Sequence, residues 1–342
     1  MVAGFTLDNI FFGRIDSPWQ TQGIFASYAA VCFITIPLLH YLEARAARGA
    51  SRPWWRSLLP IATQFALGGF WSGFLIFYAR SAVVSASWPF LLLLLVIFIG
   101  NEYYARYHER VVFTSILFFF ALYSYAIFAL PIYTHQIGTP IFLASGLAAV
   151  IVFGLFTALL RMIGQERFRA DIFPIRFGAV VVLVVVNFFY FTGVLPPLPL
   201  AAQSAGVYHS VSRVPGTYVA MTEREPWAVR HLGFTPTEHV VAGDSLYAYS
   251  SIFAPTDLTT TIVHRWQWYD PSKNGWVTRA AIAYPIEGGR DGGYRGYSAA
   301  IMRTEGDWRV SVETADGRVI ARLPFTVVFV EQPPKETKIT LP

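Results

Sequence analysis

The sequence predicts a membrane-embedded bundle of six helices followed by an all-β, immunoglobulin-like antiparallel sandwich. Three observations carry that reading. The 342 residues are 54% hydrophobic and only 14% charged, well below the roughly 25% charge of a typical soluble domain. Six apolar stretches approach the roughly twenty residues that a helix needs to cross about 30 Å of hydrocarbon. Beyond Thr217 the hydrophobic period falls to two. In "IVHRWQWYD", Ile262, His264, Trp266 and Trp268 point one way while Val263, Arg265, Gln267 and Tyr269 point the other, the signature of a half-buried strand.

The expected spans run Gly23–Leu42, Leu58–Tyr78, Ala82–Gly100, Val111–Leu130, Ile141–Leu160 and Pro174–Thr192. The first has no basic leader and no small-residue cleavage site, so it reads as a retained span. Arginine sets the orientation, because cytoplasmic loops keep positive charge. Ten arginines (45, 48, 52, 56, 106, 110, 161, 167, 169 and 176) fall in alternate loops, against Arg14 and Arg80 on the other side. Six spans then leave both termini outside a bacterial inner membrane. The net charge of +5 resides in residues 1–196, scattered over short loops. That pattern excludes a nucleic-acid face, which needs clustered basic residues.

Within the spans, Gln64 and Asn187 read as interhelical hydrogen-bonding groups, and Gly69 and Gly73 as a small-xxx-small packing pair. Trp19, Trp54 and Trp55 read as interfacial anchors. Glu102, His108 and Glu109 have no metal-site spacing and read as a solvated helix end.

After Thr192, "GVLPPLPL" favours extended polyproline geometry. Strands are expected at 217–221, 245–253, 258–269, 276–286, 294–303, 308–314 and 319–330, separated by turn signals such as "DPSKNG", "EGGRDGG" and "TADG". The expected organisation is an extracytoplasmic segment 1–22, a transmembrane domain 23–192, a Pro-rich linker 193–215, a β-sandwich 216–331 and a flexible tail 332–342. The lone cysteine, Cys32, lies in the first span, so no intramolecular disulfide supports the sandwich.

"IVHRWQWYD" together with "YRGYSAAIMRTEGDWRVSVETADGRVIARLPFTV" resembles a C-terminal module of unknown function. That module occurs in an uncharacterised bacterial family of six-span inner-membrane proteins with an extracytoplasmic β-sandwich. The resemblance implies this architecture and no particular activity.

Trp308 alternates in phase with Val310 and Val312 and reads as core; Trp266 and His264 read likewise. Candidate ligand-binding residues are Trp268, at a strand end where an exposed ring could stack, and Arg290, Tyr294, Arg295 and Tyr297 around the glycine-rich loop. Loops on a rigid sandwich collect binding groups. "GYSAA" around Ser298 is only a partial nucleophile elbow. His231, Glu238 and His239 match no standard metal spacing and read as a surface loop. No catalytic set, cofactor or metal is therefore assigned. The leading reading is a non-enzymatic inner-membrane protein whose sandwich binds an envelope protein or glycan, with the bilayer as its other partner and no nucleic acid. The alternatives are a small-solute transporter or channel subunit with an accessory domain, and a membrane enzyme acting on a lipid-linked substrate.

Overall fold

The computed structural model describes residues 20–81, 84–103, 111–197, 199–223, 235–289 and 293–341. The chain forms two compact units, a helical one up to Pro199 and a β-rich one from Leu200.

The helical unit contains α1 (Gln20–Ala46), α2 (Leu58–Ser81), α3 (Val84–Tyr103), α4 (Val111–Thr134) and α5 (Thr139–Phe191). A short 3₁₀ turn, Trp54–Ser57, leads into α2. Among the described residues, five stretches are long and apolar enough to cross a membrane: Thr21–Ala46, Trp54–Tyr78, Val111–Thr134, Thr139–Ile163 and Ala170–Phe191. The third expected span corresponds to α3, whose described apolar core is the shorter Trp88–Ile97.

Helix α5 covers both the fifth and the sixth expected spans, yet it is not one straight rod. At 1.5 Å per residue a straight helix would set residues 139 and 190 roughly 75 Å apart. Instead Tyr190 Oη lies 3.2 Å from Thr139 Oγ1, and its ring stacks on Phe142 at 3.5 Å. The chain therefore doubles back, and the two limbs lie antiparallel, as expected for separate spans.

Small and polar residues knit these helices. A Cβ on Gly69 would come within 2.4 Å of the Tyr28 ring, so α1 rides on the α2 backbone where the spacing predicted close packing. Thr35 and Thr63 hydroxyls meet at 2.7 Å between the same helices. Asn187 donates to Tyr123 Oη at 3.1 Å and to Leu183 O at 2.8 Å, the interhelical role expected of it. Glu43 near the end of α1 pairs with Arg56 and, at 3.5 Å, with Arg52. Leu147, Leu155, Phe177 and Phe188 point out of the bundle, each more than half exposed.

Among the described residues, the β unit has eleven strands in three sheets. A central sheet has the order β1-β5-β8, with β1 Ala201–Tyr208, β5 Ser245–Phe253 and β8 Tyr294–Ile301. A five-stranded sheet has the order β4-β10-β9-β6-β7, with β4 Thr237–Val240, β6 Thr259–Asp270, β7 Gly275–Glu287, β9 Gly306–Thr314 and β10 Val319–Phe329. An end sheet has the order β11-β3-β2, with β2 Ser210–Val214, β3 Thr217–Glu223 and β11 Glu336–Leu341.

All seven expected strands are present. Four more, β1, β2, β4 and β11, lie where the sequence suggested a linker, a loop and a tail. Short polar strands such as "ETKITL" are stabilised by pairing rather than by their own pattern: β11 joins β3 through six residue pairs, from Glu336 with Glu223 to Leu341 with Tyr218. The pairing also turns a two-sheet expectation into three layers. Leu246 and Ala248 of β5 pack with Trp266, Trp308, Val310 and Phe325 of the five-stranded sheet. Tyr249, on the opposite face of β5, packs with Val211, Ala220 and Leu341 of the end sheet. The expected core residues hold: Trp266 is 0% and Trp308 3% exposed.

The glycine-rich segment after β7 is shaped by packing as much as by flexibility. A Cβ on Gly288 would lie 1.7 Å from Pro255 O, and one on Gly293, where φ is +72°, 2.6 Å from Ser251 Oγ. Both positions admit only glycine because the backbone after β7 and before β8 presses on the end of β5.

Candidate functional site

The outward alternation of β6, β7 and β9 places Gln267, Tyr269, Trp276 and Arg309 on the solvent face of the five-stranded sheet. The register puts Tyr269 opposite Trp276 and Gln267 opposite Arg309. Arg309 lies 4.2 Å over the Trp276 ring, and its Nε donates to Gln267 Oε1 at 2.8 Å. Tyr269 meets Trp276 edge-on at 5.4 Å. Arg322 of β10 is the diagonal neighbour of Arg309 on this face. Its Nε is buried with no hydrogen-bond acceptor. Burial and the like charge of Arg322 lower the Arg309 pKa below its ordinary value. The face is therefore an aromatic platform beside two crowded guanidinium groups.

The described residues of the predicted site fall on two different sheets. Trp268 belongs to the five-stranded sheet, whereas Tyr294, Arg295 and Tyr297 belong to β8 of the central sheet. Trp268 is half-buried against the sandwich core; its Nε1 donates to Glu305 O at 2.9 Å and Arg279 covers its ring at 4.8 Å. Arg295 and Tyr297 face the end sheet. Arg295 Nη1 reaches Gly216 O at 3.4 Å, and Tyr297 packs near Tyr218 and Tyr247 while remaining 43% exposed. Arg290 lies outside the described residues, as do His108, Glu109 and His231.

His264 sits in a polar network between the central and the five-stranded sheets. Its Nε2 lies 2.9 Å from Ser250 Oγ and 3.0 Å from Tyr284 Oη, and its Nδ1 lies 2.9 Å from Ser298 Oγ. Trp266 Nε1 donates to Ser298 Oγ at 3.1 Å. His264 and Trp266 are 0% exposed and Ser298 5%. Each member has at least one hydrogen-bond partner, which suits a specifying core network.

A second polar cluster arises from residues that sequence spacing did not join. His209 follows β1, Glu223 ends β3, Glu238 and His239 lie on β4, and Glu336 opens β11. His209 Nε2 is 3.0 Å from Glu223 Oε1 and 3.3 Å from Glu238 Oε2, while its Nδ1 is 3.7 Å from Glu336 Oε1. His239 holds Glu223 twice, through its backbone N–H at 2.6 Å and its Nδ1 at 2.8 Å. Burial opposes charging of His209, but the nearby carboxylates of Glu238, Glu223 and Glu336 together outweigh it and raise the pKa. Glu238 and His239, read from sequence as surface loop, are thus strand residues in a cluster that could hold a metal.

In the helical unit, a groove of about 400 Å³ runs between α4 and the two limbs of α5. Phe119, Val150, Phe153 and Leu183 line it, with Arg161 and Arg176 also among its lining residues.

Residues 259–327 match a domain family described only as a protein of unknown function, DUF2914. The match spans β6 to most of β10, and so contains His264, Trp266, Ser298 and Trp308. No curated protein matches the sequence. Among solved structures, a mutant β-glucosidase from Listeria innocua in complex with laminaribiose is 13% identical, with a TM-score of 0.21. The likeness covers 32% of this chain and 16% of that one. The alkylpurine DNA glycosylase AlkC from Pseudomonas fluorescens, bound to DNA with an abasic-site analogue, is 10% identical over 94% of this chain and 98% of that one, with a TM-score of 0.22. Neither superposition is close enough to inform fold or function.

Proposed function

We propose that the chain is a multi-pass inner-membrane protein whose β unit is an extracytoplasmic, non-enzymatic binding module for an anionic envelope glycan. The observation that carries this reading is the Arg309–Arg322 pair beside Trp276, with a buried Arg322 Nε–H lacking an acceptor. A sugar ring stacks on an exposed indole, and a carboxylate or phosphate on it supplies acceptors to the two neighbouring guanidinium groups. Compared with the glycine-rich edge, this face offers both groups on rigid strands. Membrane insertion is supported by the apolar limbs of α5, whose exposed leucines and phenylalanines would be costly in water.

In detergent, the full-length protein is expected to be retained on an immobilised acidic polysaccharide and not on a neutral one. Each lost charge-assisted contact is worth about 1 to 3 kcal/mol, so Arg309→Gln with Arg322→Gln should weaken retention at least tenfold at an unchanged melting temperature. Equal retention by parent and double variant would discard the platform as the site.

The orientation rests on the ten-to-two distribution of arginines. Reporter fusions after residue 50 and at the C-terminus are expected to report cytoplasm and periplasm respectively. Cytoplasmic activity of the C-terminal fusion would overturn the topology.

A further inference from the structure

We infer that His209, Glu223 and Glu238 form a binding site for one divalent transition-metal ion, with Zn²⁺ the best-suited probe. One donor atom from each, His209 Nε2 and a carboxylate oxygen of each glutamate, lies within 4.8 Å of the others. Two donors bound at about 2.1 Å lie about 3.0 Å apart at a right angle and about 3.4 Å apart at the tetrahedral angle. His209 Nε2 stands 3.0 Å from Glu223 Oε1 and 3.3 Å from Glu238 Oε2, spacings that one such ion would impose.

A network of ion pairs alone leaves a defect here. Nε2 carries at most one proton, which can be directed at one carboxylate. Glu238 is only 4% exposed, and its Oε2 has no hydrogen-bond partner although it faces that nitrogen. Glu223 and Glu336 stand directly opposite one another on β3 and β11, a like-charge cross-strand pair that is unfavourable by itself. Among the described residues, the ion pairs of these three carboxylates are with His209 and His239. A cation between His209, Glu223 and Glu238 supplies a partner to the orphaned oxygen and offsets the acidic surplus.

The surroundings match what orients metal ligands. A ligating imidazole usually turns its other nitrogen to a carboxylate, and ligating carboxylates are themselves hydrogen-bonded. Glu336 faces Nδ1 of His209, and His239 grips Glu223 through backbone and ring. An imidazole among the donors favours zinc or iron over calcium and magnesium, which take oxygen ligands.

The test uses tag-free, full-length protein in detergent, stripped of metal with a chelator and titrated with Zn²⁺ alone. One saturable equivalent is expected, with a rise in melting temperature that millimolar Ca²⁺ or Mg²⁺ does not reproduce. Glu238→Gln and His209→Gln should each weaken Zn²⁺ binding at least tenfold. His239→Ala should weaken it through loss of the grip on Glu223, by about tenfold. Because a ligand variant can fail to fold, X-ray absorption of the zinc-loaded parent provides an independent reading. It should give a nitrogen and oxygen shell at about 2.0–2.1 Å that includes one imidazole. Absence of saturable binding, parent-like affinity in folded Glu238→Gln and His209→Gln, or a zinc shell without imidazole each overturns the site.

Discussion

Replacing Trp266 with alanine is expected to destabilise the β unit by about 4 kcal/mol, the middle of the range for truncating a buried aromatic. The indole is 0% exposed and meets Phe325 edge-on at 6.2 Å. It packs in the cluster that joins the central and five-stranded sheets. Truncation removes that packing and also the donor to Ser298 Oγ, leaving a buried hydroxyl to rearrange against His264. Hydrogen exchange of β9 and β10 amides in the full-length protein reads the effect directly, and 4 kcal/mol corresponds to roughly a thousandfold faster exchange. Trp276→Ala, on the solvent face, should stay within about 0.5 kcal/mol of the parent. Parent-like protection in Trp266→Ala would show that the two sheets are held by other contacts.

Acidification should destabilise the same core through His264. Burial lowers its pKa from 6.5 to about 4. Above pH 6.5 the imidazole is neutral both folded and unfolded, so the group contributes no pH dependence. Between pH 6.5 and about 4 the unfolded chain takes up a proton that the folded core refuses, and stability falls by 1.36 kcal/mol per unit. The total is on the order of 3 kcal/mol, with no further loss below about pH 4. His209 acts with the opposite sign: its raised pKa contributes stability that is full below pH 6.5 and is lost as pH rises through the folded value. Stability profiles of the parent and His264→Gln, subtracted, isolate the His264 part. The variant should be less stable at neutral pH, since its amide cannot reproduce both ring contacts, but flatter between pH 6.5 and 4. Parallel profiles for the two proteins would place the acid sensitivity elsewhere.

Much of the architecture was legible because its signals are local. Apolar runs of span length located the helices, including the two limbs of α5. Their separation by Arg161, Arg167, Arg169 and Arg176 signalled a reversal that helical hydrogen bonding alone obscures. The period-2 stretches located seven strands, and the phase of "IVHRWQWYD" by itself sorts Ile262, His264 and Trp266 inward. The turn at "TADG" fell between β9 and β10, where Gly317 takes φ +84°.

The remainder was decided by pairing between distant segments, which no window of sequence contains. Residues 201–208 and 336–341 have weak patterns of their own and become strands because β5 and β3 offer open edges. The resulting end sheet packs beside the β8 face that holds Arg295 and Tyr297, so this edge, which the sequence presents as free, borders a third layer. A bulge between Trp266 and Gln267 in the β6–β7 pairing lies beside Arg279, which covers Trp268. The same long-range pairing gathers His209, Glu223, Glu238 and Glu336 from four separate segments. Sequence by itself determined which stretches are helix or strand and which faces are apolar, because side-chain period and span length are properties of neighbouring residues. Tertiary structure alone decided the third layer and the His–Glu cluster, because hydrogen-bonded edges and convergent charges depend on which segments meet.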